Sequence, residues 1–568
     1  MAEAHRTTLV KLLSLKLNGQ YKGLKDQYFD FSRTQGNIVA LIGLNGSGKS
    51  QLLEVISEAI AFLERCQRDD FVVRTPLGFG FELVYEIAKE DLLGNIYDVK
   101  TKFELDKSSC SPKVFQEDEG YWDPISIEDA VLPYVVGYSS GLNENLQRSF
   151  MKNAVQYFEV QRIRLKYMKE FRAVESGFLR SEVNQKYIEK YPYAFDTEAG
   201  VTNDFDDYTP LPHAAIQTSK SIYLDYDSAG LVLASLAILP AEEIEQLFSD
   251  VTFKHPVSVT FQYDLRGGIT DEADASSDIK RLISIAGLGQ FKPIGRSATE
   301  EQFELYELEY LAGYITLDLT NRSVVSVLRE ANYGDPITFF KRLYKLQQLG
   351  IKKWQYASRL QLQKDDFQGT VKKPLKAKLP LSVSELILSD GQGRTVCLDD
   401  LSDGEAQLIE ALAVTRIFSA ERTLFLFDEP ETHLNPSWRT YYHSYLSKAI
   451  VDNSNDMFKS SVILSTHSPF MVSSLKRENV LFFKRDEIGS IQMKPVDSQT
   501  YGASFEVLIK QHFGLRSLIS QTVVEAVKEF LPKDESPEAA EAAREWIESN
   551  LGDSMEKAYL LRKLYQFH

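Results

Sequence analysis

Cysteine is scarce in this chain: three in 568 residues, at Cys66, Cys110 and Cys397, far apart and in no metal-ligand spacing. That excludes a thiolate zinc site and suits a reducing compartment, so the cytoplasm is the expected address. Long hydrophobic runs are missing too. The longest, Ala229 to Leu239, is too short to span a bilayer, and Met1 to Arg6 has no apolar signal core, so no membrane association is expected. An excess of positive charge is also absent. The formal net charge of −17 opposes indiscriminate binding to nucleic acid or anionic membranes, which leaves only a local basic patch or a partner protein for such contacts. There is no internal repeat or low-complexity tract. Between residues 151 and 380 no heptads are sustained, and Pro192, Pro210, Pro212, Pro240, Pro256, Pro293 and Pro336 interrupt the stretch, which argues against a long coiled-coil arm.

What is present is an ordinary globular composition, 43% hydrophobic and 26% charged, in a chain long enough for two or more domains. Its most informative stretch is Asn37 to Leu63. A short apolar run, Ile38 to Ile42, enters a Gly-rich loop, and Leu52, Ile56, Ala59 and Leu63 leave it at helical spacing. The loop reads Gly43-x-x-x-x-Gly48-Lys49-Ser50, the phosphate-binding pattern, between a strand and a helix where its mechanism needs it. Glycines let backbone N–H groups curl around phosphates, and the helix N-terminus adds positive potential. Lys49 is expected to reach the β/γ-phosphates of ATP and Ser50 to take Mg²⁺. Asn45, Gly46, Ser47 and Gln51 complete the expected nucleotide-binding set.

A second group of chemical signals begins roughly 350 residues further on. Ser384 to Leu388 and Thr395 to Leu398 read as a hairpin leading into Leu401-Ser-Asp-Gly-Glu405-Ala-Gln407, where Ser402 and Glu405 form a capping box that opens a helix. Thr423 to Phe427 is an apolar strand ending in Asp428-Glu429-Pro430. A carboxylate at the end of a buried strand beside a phosphate loop holds Mg²⁺ in this class of site, which assigns Asp428 to the metal and Glu429 to the attacking water. Val462 to Ser465 is another buried strand, ending at His467, which is placed to report the γ-phosphate.

The remaining stretches are less specific. Thr8 to Leu17, Tyr28 to Ser32, Phe81 to Ala88 and Tyr97 to Leu105 read as strands. Val131 to Val136 reads as a strand running into a loop from Gly137, with Gln147 the nearest candidate for a Mg²⁺-sensing glutamine. Met151 to Arg180 reads as helical, with Arg162, Lys166, Lys169 and Arg172 on one face, a solvated face or a nucleic-acid contact. Ile222 to Phe248 reads as a helix interrupted at Pro240, and Val257 to Leu265 and Phe303 to Leu319 read as strands. Pro336 to Ala357 reads as helical. Lys352, Lys353, Arg359, Lys364, Lys372, Lys373, Lys376 and Lys378 lie among Trp354, Tyr356 and Phe367, which reads as a solvated linker or a surface for single strands.

Phosphate loop, Leu-Ser-x-Gly-Glu, Asp-Glu strand and His strand, in this order, resemble the ABC-type ATPase heads shared by transporters, SMC proteins and their break-repair relatives, RecF and the OLD nucleases. The resemblance covers the two ends of the chain. It implies an α/β fold: a mixed-sheet head with flanking helices at 1–150 and 381–490, a large mixed helix-and-strand lid insertion at 151–380, and a helical extension at 491–568. It also implies a homodimer or an assembly of dimers in which Ser402, Gly404 and Glu405 meet the ATP of another copy, with Thr432 to Pro436 at the contact. Asn435 stands where many members have Asp. More narrowly, Leu401 to Gln407, the Asp428 to Pro436 segment and Thr500-Tyr-Gly-Ala-Ser504 look like the ATPase subunit of Septu-type anti-phage defence, including the retron-associated form. That likeness implies an HNH endonuclease partner and, in the retron form, a reverse transcriptase with multicopy single-stranded DNA.

Two rival readings differ in class. An OLD-like enzyme would cut nucleic acid itself, but Val480 to His568 contains no Asp-x-Asp pair for metal, and the eight histidines do not cluster. A RecF-like DNA clamp would want a basic groove, which the net acidity disfavours.

Overall fold

The computed structural model describes residues 10–68, 73, 75–90, 96–139, 144–195, 210–211, 219–266, 273–287, 289–371, 379–419, 421–452, 457–458, 460–486, 490–513, 520–531 and 537–564. They fall into two units, Met1–Gly502 and Ala503–His568.

Three fully buried strands, β5 (Ile38–Gly43), β17 (Thr423–Asp428) and β20 (Ser461–Ser465), form the centre of the first unit. Continuous apolar runs of this kind suit parallel strands covered on both faces. They lie in a seven-stranded sheet of order β11-β10-β17-β20-β5-β21-β22, completed by β10 (Tyr134–Ser139), β11 (Ser221–Leu224), β21 (Val480–Arg485) and β22 (Ile491–Pro495). Neighbours run parallel except β21 and β22. The register sets Asp428 beside Ser465 and Ser465 beside Leu41, so the carboxyl ends of the three central strands open together, where ligands bind in open α/β sheets.

Helix α1 (Lys49–Gln67) leaves β5 through the Gly-rich loop and is buried nearly all round, as a core helix should be. One apolar cluster joins its Leu52, Ile56 and Phe62 to Leu41, Leu426, Leu15 and Leu83. The last two belong to an antiparallel six-stranded sheet of order β4-β1-β6-β7-β8-β9. Its strands are β1 (Val10–Asn18), β4 (Tyr28–Asp30), β6 (Gly80–Glu90), β7 (Ile96–Leu105), β8 (Lys113–Asp118) and β9 (Tyr121–Ile125), and a short hairpin, β2 (Gln20–Tyr21) and β3 (Leu24–Lys25), follows β1. The charges buried on α1 are paired. Glu54 meets Lys22 and Arg148, and Glu58 meets Arg148 and Lys152 at 3.1 and 2.9 Å, both from α2 (Glu144–Arg172).

The third sheet, order β13-β14-β12-β15-β16, is antiparallel: β12 (His255–Asp264), β13 (Phe291–Pro293), β14 (Ala312–Asp318), β15 (Leu381–Ser389) and β16 (Thr395–Cys397). Helices α3 (Gly177–Lys190), α4 (Tyr226–Ser235), α5 (Ala241–Leu247), α6 (Ala273–Ala286), α7 (Glu300–Tyr306), α8 (Arg322–Ala331), α9 (Pro336–Gln348) and α10 (Tyr356–Leu362) occupy the connections. Sheet membership does not follow the boundaries drawn from sequence. Strand β11 lies inside 151–380 yet pairs with β10, while β15 and β16 lie inside 381–490 yet extend the sheet built on β12.

Three local readings are corrected. Residues 137–139 continue β10, because a side chain at Gly137 would come within 2.7 Å of the Phe150 ring and 3.0 Å of the Tyr223 ring; this glycine permits close packing, not a turn. Residues 300–306 are helical, opened by a Thr299–Gln302 capping box that the strand reading overlooked. Residues 222–224 are strand, since a four-residue apolar run cannot be told from a helix by periodicity.

The second unit comprises α14 (Phe505–His512), α15 (Gln521–Phe530), α16 (Pro537–Asn550) and α17 (Met555–Leu564). Ala540, Ala543, Ile547 and Leu564 form its core, and Phe530 stacks on Trp546 at 4.3 Å. Among the described residues, no helix is long and apolar enough to cross a membrane.

Candidate active site

The loop after β5 bends through left-handed glycines. Gly43, at φ 143°, could not carry a side chain, since a Cβ would lie 2.3 Å from the Phe483 carbonyl oxygen. Gly48, at φ 104°, caps α1 with a Cβ position 2.8 Å from Ile491. Gly46, at φ 74°, faces open space, and its carbonyl accepts from Arg485 Nη2 at 2.8 Å. The Ser47 hydroxyl is buried with no partner among the described residues. Asn45 is exposed, and Gln51 accepts from Gly23 N at 3.1 Å.

Lys49 Nζ donates to the Gly43 and Leu44 carbonyls at 2.9 and 3.3 Å and lies 3.0 Å from His467 Nε2. Burial pulls its ammonium down to about 8, against the raising fields of Glu429 and Asp428. Ser50 Oγ donates to Asp428 Oδ1 at 2.8 Å, and Ser465 Oγ donates to the same oxygen. Glu429 has φ 50°, rare for a side-chain-bearing residue; Pro430 disfavours the right-handed helical region for it, and its N–H donates to Ser465 O and Oγ. Its Oε1 lies 3.3 Å from His467 Nε2, and that hydrogen bond first, then the electrostatic pull of His467 and Lys49, holds the carboxyl below the ordinary range despite burial.

The structure thus brings Lys49, Ser50, Asp428, Glu429 and His467 into one contact network. Ser402 and Glu405 bond each other as a capping box on α11 (Asp403–Phe418), and Ser402 is exposed. A side chain at Gly404 would lie 2.7 Å from the His433 carbonyl oxygen, and Gln407 accepts from His433 N at 2.8 Å, so the start of α11 abuts the loop after β17. Asn435 caps the helix that follows, α12 (Pro436–Ile450), through Trp438 N. Gln147 gives its amide to Asp225 at 3.1 Å. Of the basic face on α2, Arg162 pairs with Glu159 and Lys166 with Glu170, as a solvated face would. Lys372, Lys373, Lys376 and Lys378 lie outside the described residues.

Sequence reasoning missed Ser465, Arg485, Glu431 and Thr466. Ser465 and Thr466 adjoin His467 in the chain and could have been flagged; Arg485 lies 439 residues from the glycine it braces, and no local signal marks it.

Residues 252–473 match the family model described as AAA domain, putative AbiEii toxin, Type IV TA system, a span well under half of the chain. It takes in α11, Asp428, Glu429 and His467, and leaves out the phosphate loop. That span of the chain is therefore similar to an AAA domain. Among solved structures 42 chains match. One is the crystal structure of an SMC head bound to the C-winged helix domain of ScpA, with 11% identity over 86% of this chain and 98% of that chain and a TM-score of 0.30. No curated protein matches the sequence.

Proposed function

We propose that this chain is the ATP-binding and hydrolysing subunit of a defence complex, in which ATP closes two copies head to head and nucleotide state gates a partner nuclease. The observation that supports it most is the meeting of Lys49 and Ser50 with Asp428, Glu429 and His467 at the ends of three adjacent parallel strands. Ser50 and Asp428 bond across 378 residues of chain.

The residues present fit a nucleotide with its metal ion. A buried hydroxyl at Ser47 with no partner among the described residues, and a lysine whose donors are folded back onto loop carbonyls, are groups that phosphates lying there would take over. In this reading Lys49 leaves those carbonyls to take the β/γ-phosphates, and Gly43, Asn45, Gly46, Ser47, Gly48 and Gln51 shape the cradle. Ser50 and Asp428 hold Mg²⁺, which neutralises charge on the β/γ oxygens. Glu429, held ionised, takes the proton of the attacking water, and His467 bonds the γ-phosphate. The exposed Ser402, with Gly404 and Glu405, faces the nucleotide of the second copy.

The nuclease is assigned to a partner of HNH type, with a reverse transcriptase and multicopy single-stranded DNA if the system is a retron. The family description, naming a putative toxin of a Type IV TA system, lends support to a role in cell defence. The proposed location is the cytoplasm. Purification from the native operon, with bound nucleic acid sequenced, tests the assembly. An HNH protein in the complex is the expected result; the chain alone on genomic DNA would replace this reading with a RecF-like clamp.

A further inference from the structure

Behind the site lies a polar layer that the ATPase reading leaves without a task. Glu431 is 4% exposed. Its Oε1 accepts a hydrogen bond from the fully buried Thr466 hydroxyl, whose oxygen in turn accepts from Ser468 N at 2.9 Å, so this pair pins the turn that carries His467. Its Oε2 has no hydrogen-bond partner among the described residues, nor has the buried Tyr442 hydroxyl on α12. Burial, and then the Glu431 charge, push that phenol well above its ordinary range, which puts the two groups within electrostatic reach.

The loop that carries Glu431 is fixed on its other side. Gln407 of α11 holds His433 N, and Arg439 of α12 donates to the Thr432 and Leu434 carbonyls at 2.6 and 2.8 Å. A continuous line of bonds therefore runs from the start of α11 through residues 431–434 to the His467 turn.

We propose that Glu431 is a positioning residue for ATP hydrolysis, holding Thr466, and through it His467, in register with Glu429. The inference rests on the hydrolysis reading above. Its working form is the neutral acid. A carboxylate with so few donors, one oxygen having no hydrogen-bond partner in good geometry among the described residues, is costly when buried. The groups that face it are Thr466, Tyr442, Glu429 on its own loop and Arg439. Burial pushes its carboxyl up to about 7, against the lowering hydrogen bonds of Thr466 and of its own backbone N–H and the charge of Arg439, while Glu429 raises it further.

Steady-state kinetics of wild type, Glu431→Ala, Glu431→Gln and Thr466→Val between about pH 6 and about pH 9 test it. Glu431→Ala should lower kcat at least about tenfold with KM moving less than about threefold. Glu431→Gln should recover most of that loss near neutrality. Wild-type kcat should fall as pH rises through about 7, and the Gln variant, which cannot ionise, should not show that fall. Thr466→Val removes the same bond at nearly constant volume and carries the test should Glu431→Ala not fold; with both changes the loss should not exceed the larger single one. A Glu431→Ala or Thr466→Val enzyme at wild-type kcat, a Gln variant no better than Ala, or an unchanged pH profile in the Gln variant would overturn the proposal. Wild-type turnover in Glu429→Gln would instead sink the hydrolysis reading on which it rests.

Discussion

His467 Nε2 stands between two groups that ask opposite things of it. The Lys49 ammonium needs its lone pair, the Glu429 carboxylate needs its proton, and one ring nitrogen serves only one of them at a time. Under the proposed reading, phosphates that draw Lys49 away would free that nitrogen for Glu429 or the γ-phosphate and so let the site register nucleotide. We expect His467→Ala to lower kcat roughly tenfold to hundredfold while ATP affinity stays within about threefold, a split that kinetics and direct binding measure. Lys49 gives a second prediction. Its folded value, about 8, lies below the ordinary value of 10.5, so between the two the unfolded chain binds more protons and stability rises with pH. Below that window the buried charge destabilises in full. Without nucleotide, Lys49→Met should therefore melt higher than wild type near pH 7, by up to about 3 kcal/mol before the cost of its released carbonyls, with the gap closing towards pH ~10. A gap that widens with pH would contradict the assignment.

Among the elements, α1 is the beam to which the Gly-rich loop is fixed, and its back is clamped by α2 through buried ion pairs. Arg148→Ala leaves Glu54 without one of its two cations and Glu58 with Lys152 alone. Loss of about 3–5 kcal/mol in chemical denaturation is expected, since breaking a buried pair strands a charge. A loss under about 1 kcal/mol would mean that water reaches the cluster. The strands and loop of the site were legible because β5, β17 and β20 are buried on both faces and read as unbroken apolar runs ending in polar residues. The capping box at Ser402 was legible for a similar reason: a local bond leaves a local pattern. What escaped was set by distant packing. Gly137 reads as a turn until Phe150 and Tyr223 are seen against it, and Ser221 to Leu224 is too short for its period to show. Glu431 reads as one more acid until Thr466 is placed on it. The clamp on α1 was invisible because Arg148 and Lys152 reach it from a helix that shares no motif with the loop.

For the whole molecule, the start of α11 is exposed at Ser402 and braced against the loop after β17, so a second copy docking there would also load the turn behind its own active site. That predicts nucleotide-dependent association. Sedimentation of the Glu429→Gln protein should show monomer with ADP and dimer with ATP, and Ser402→Arg should abolish the ATP-dependent shift without weakening nucleotide binding by more than about threefold. Equal mass with both nucleotides would remove the head-to-head arrangement from the account. Whether Lys49 binds nucleotide and Glu429 drives hydrolysis is decided by measuring ATP binding and ATP turnover in parallel. Lys49→Ala should lose both. Glu429→Gln should bind ATP as wild type does and turn it over roughly 10²- to 10⁴-fold more slowly. Turnover by Glu429→Gln at the wild-type rate would contradict the account.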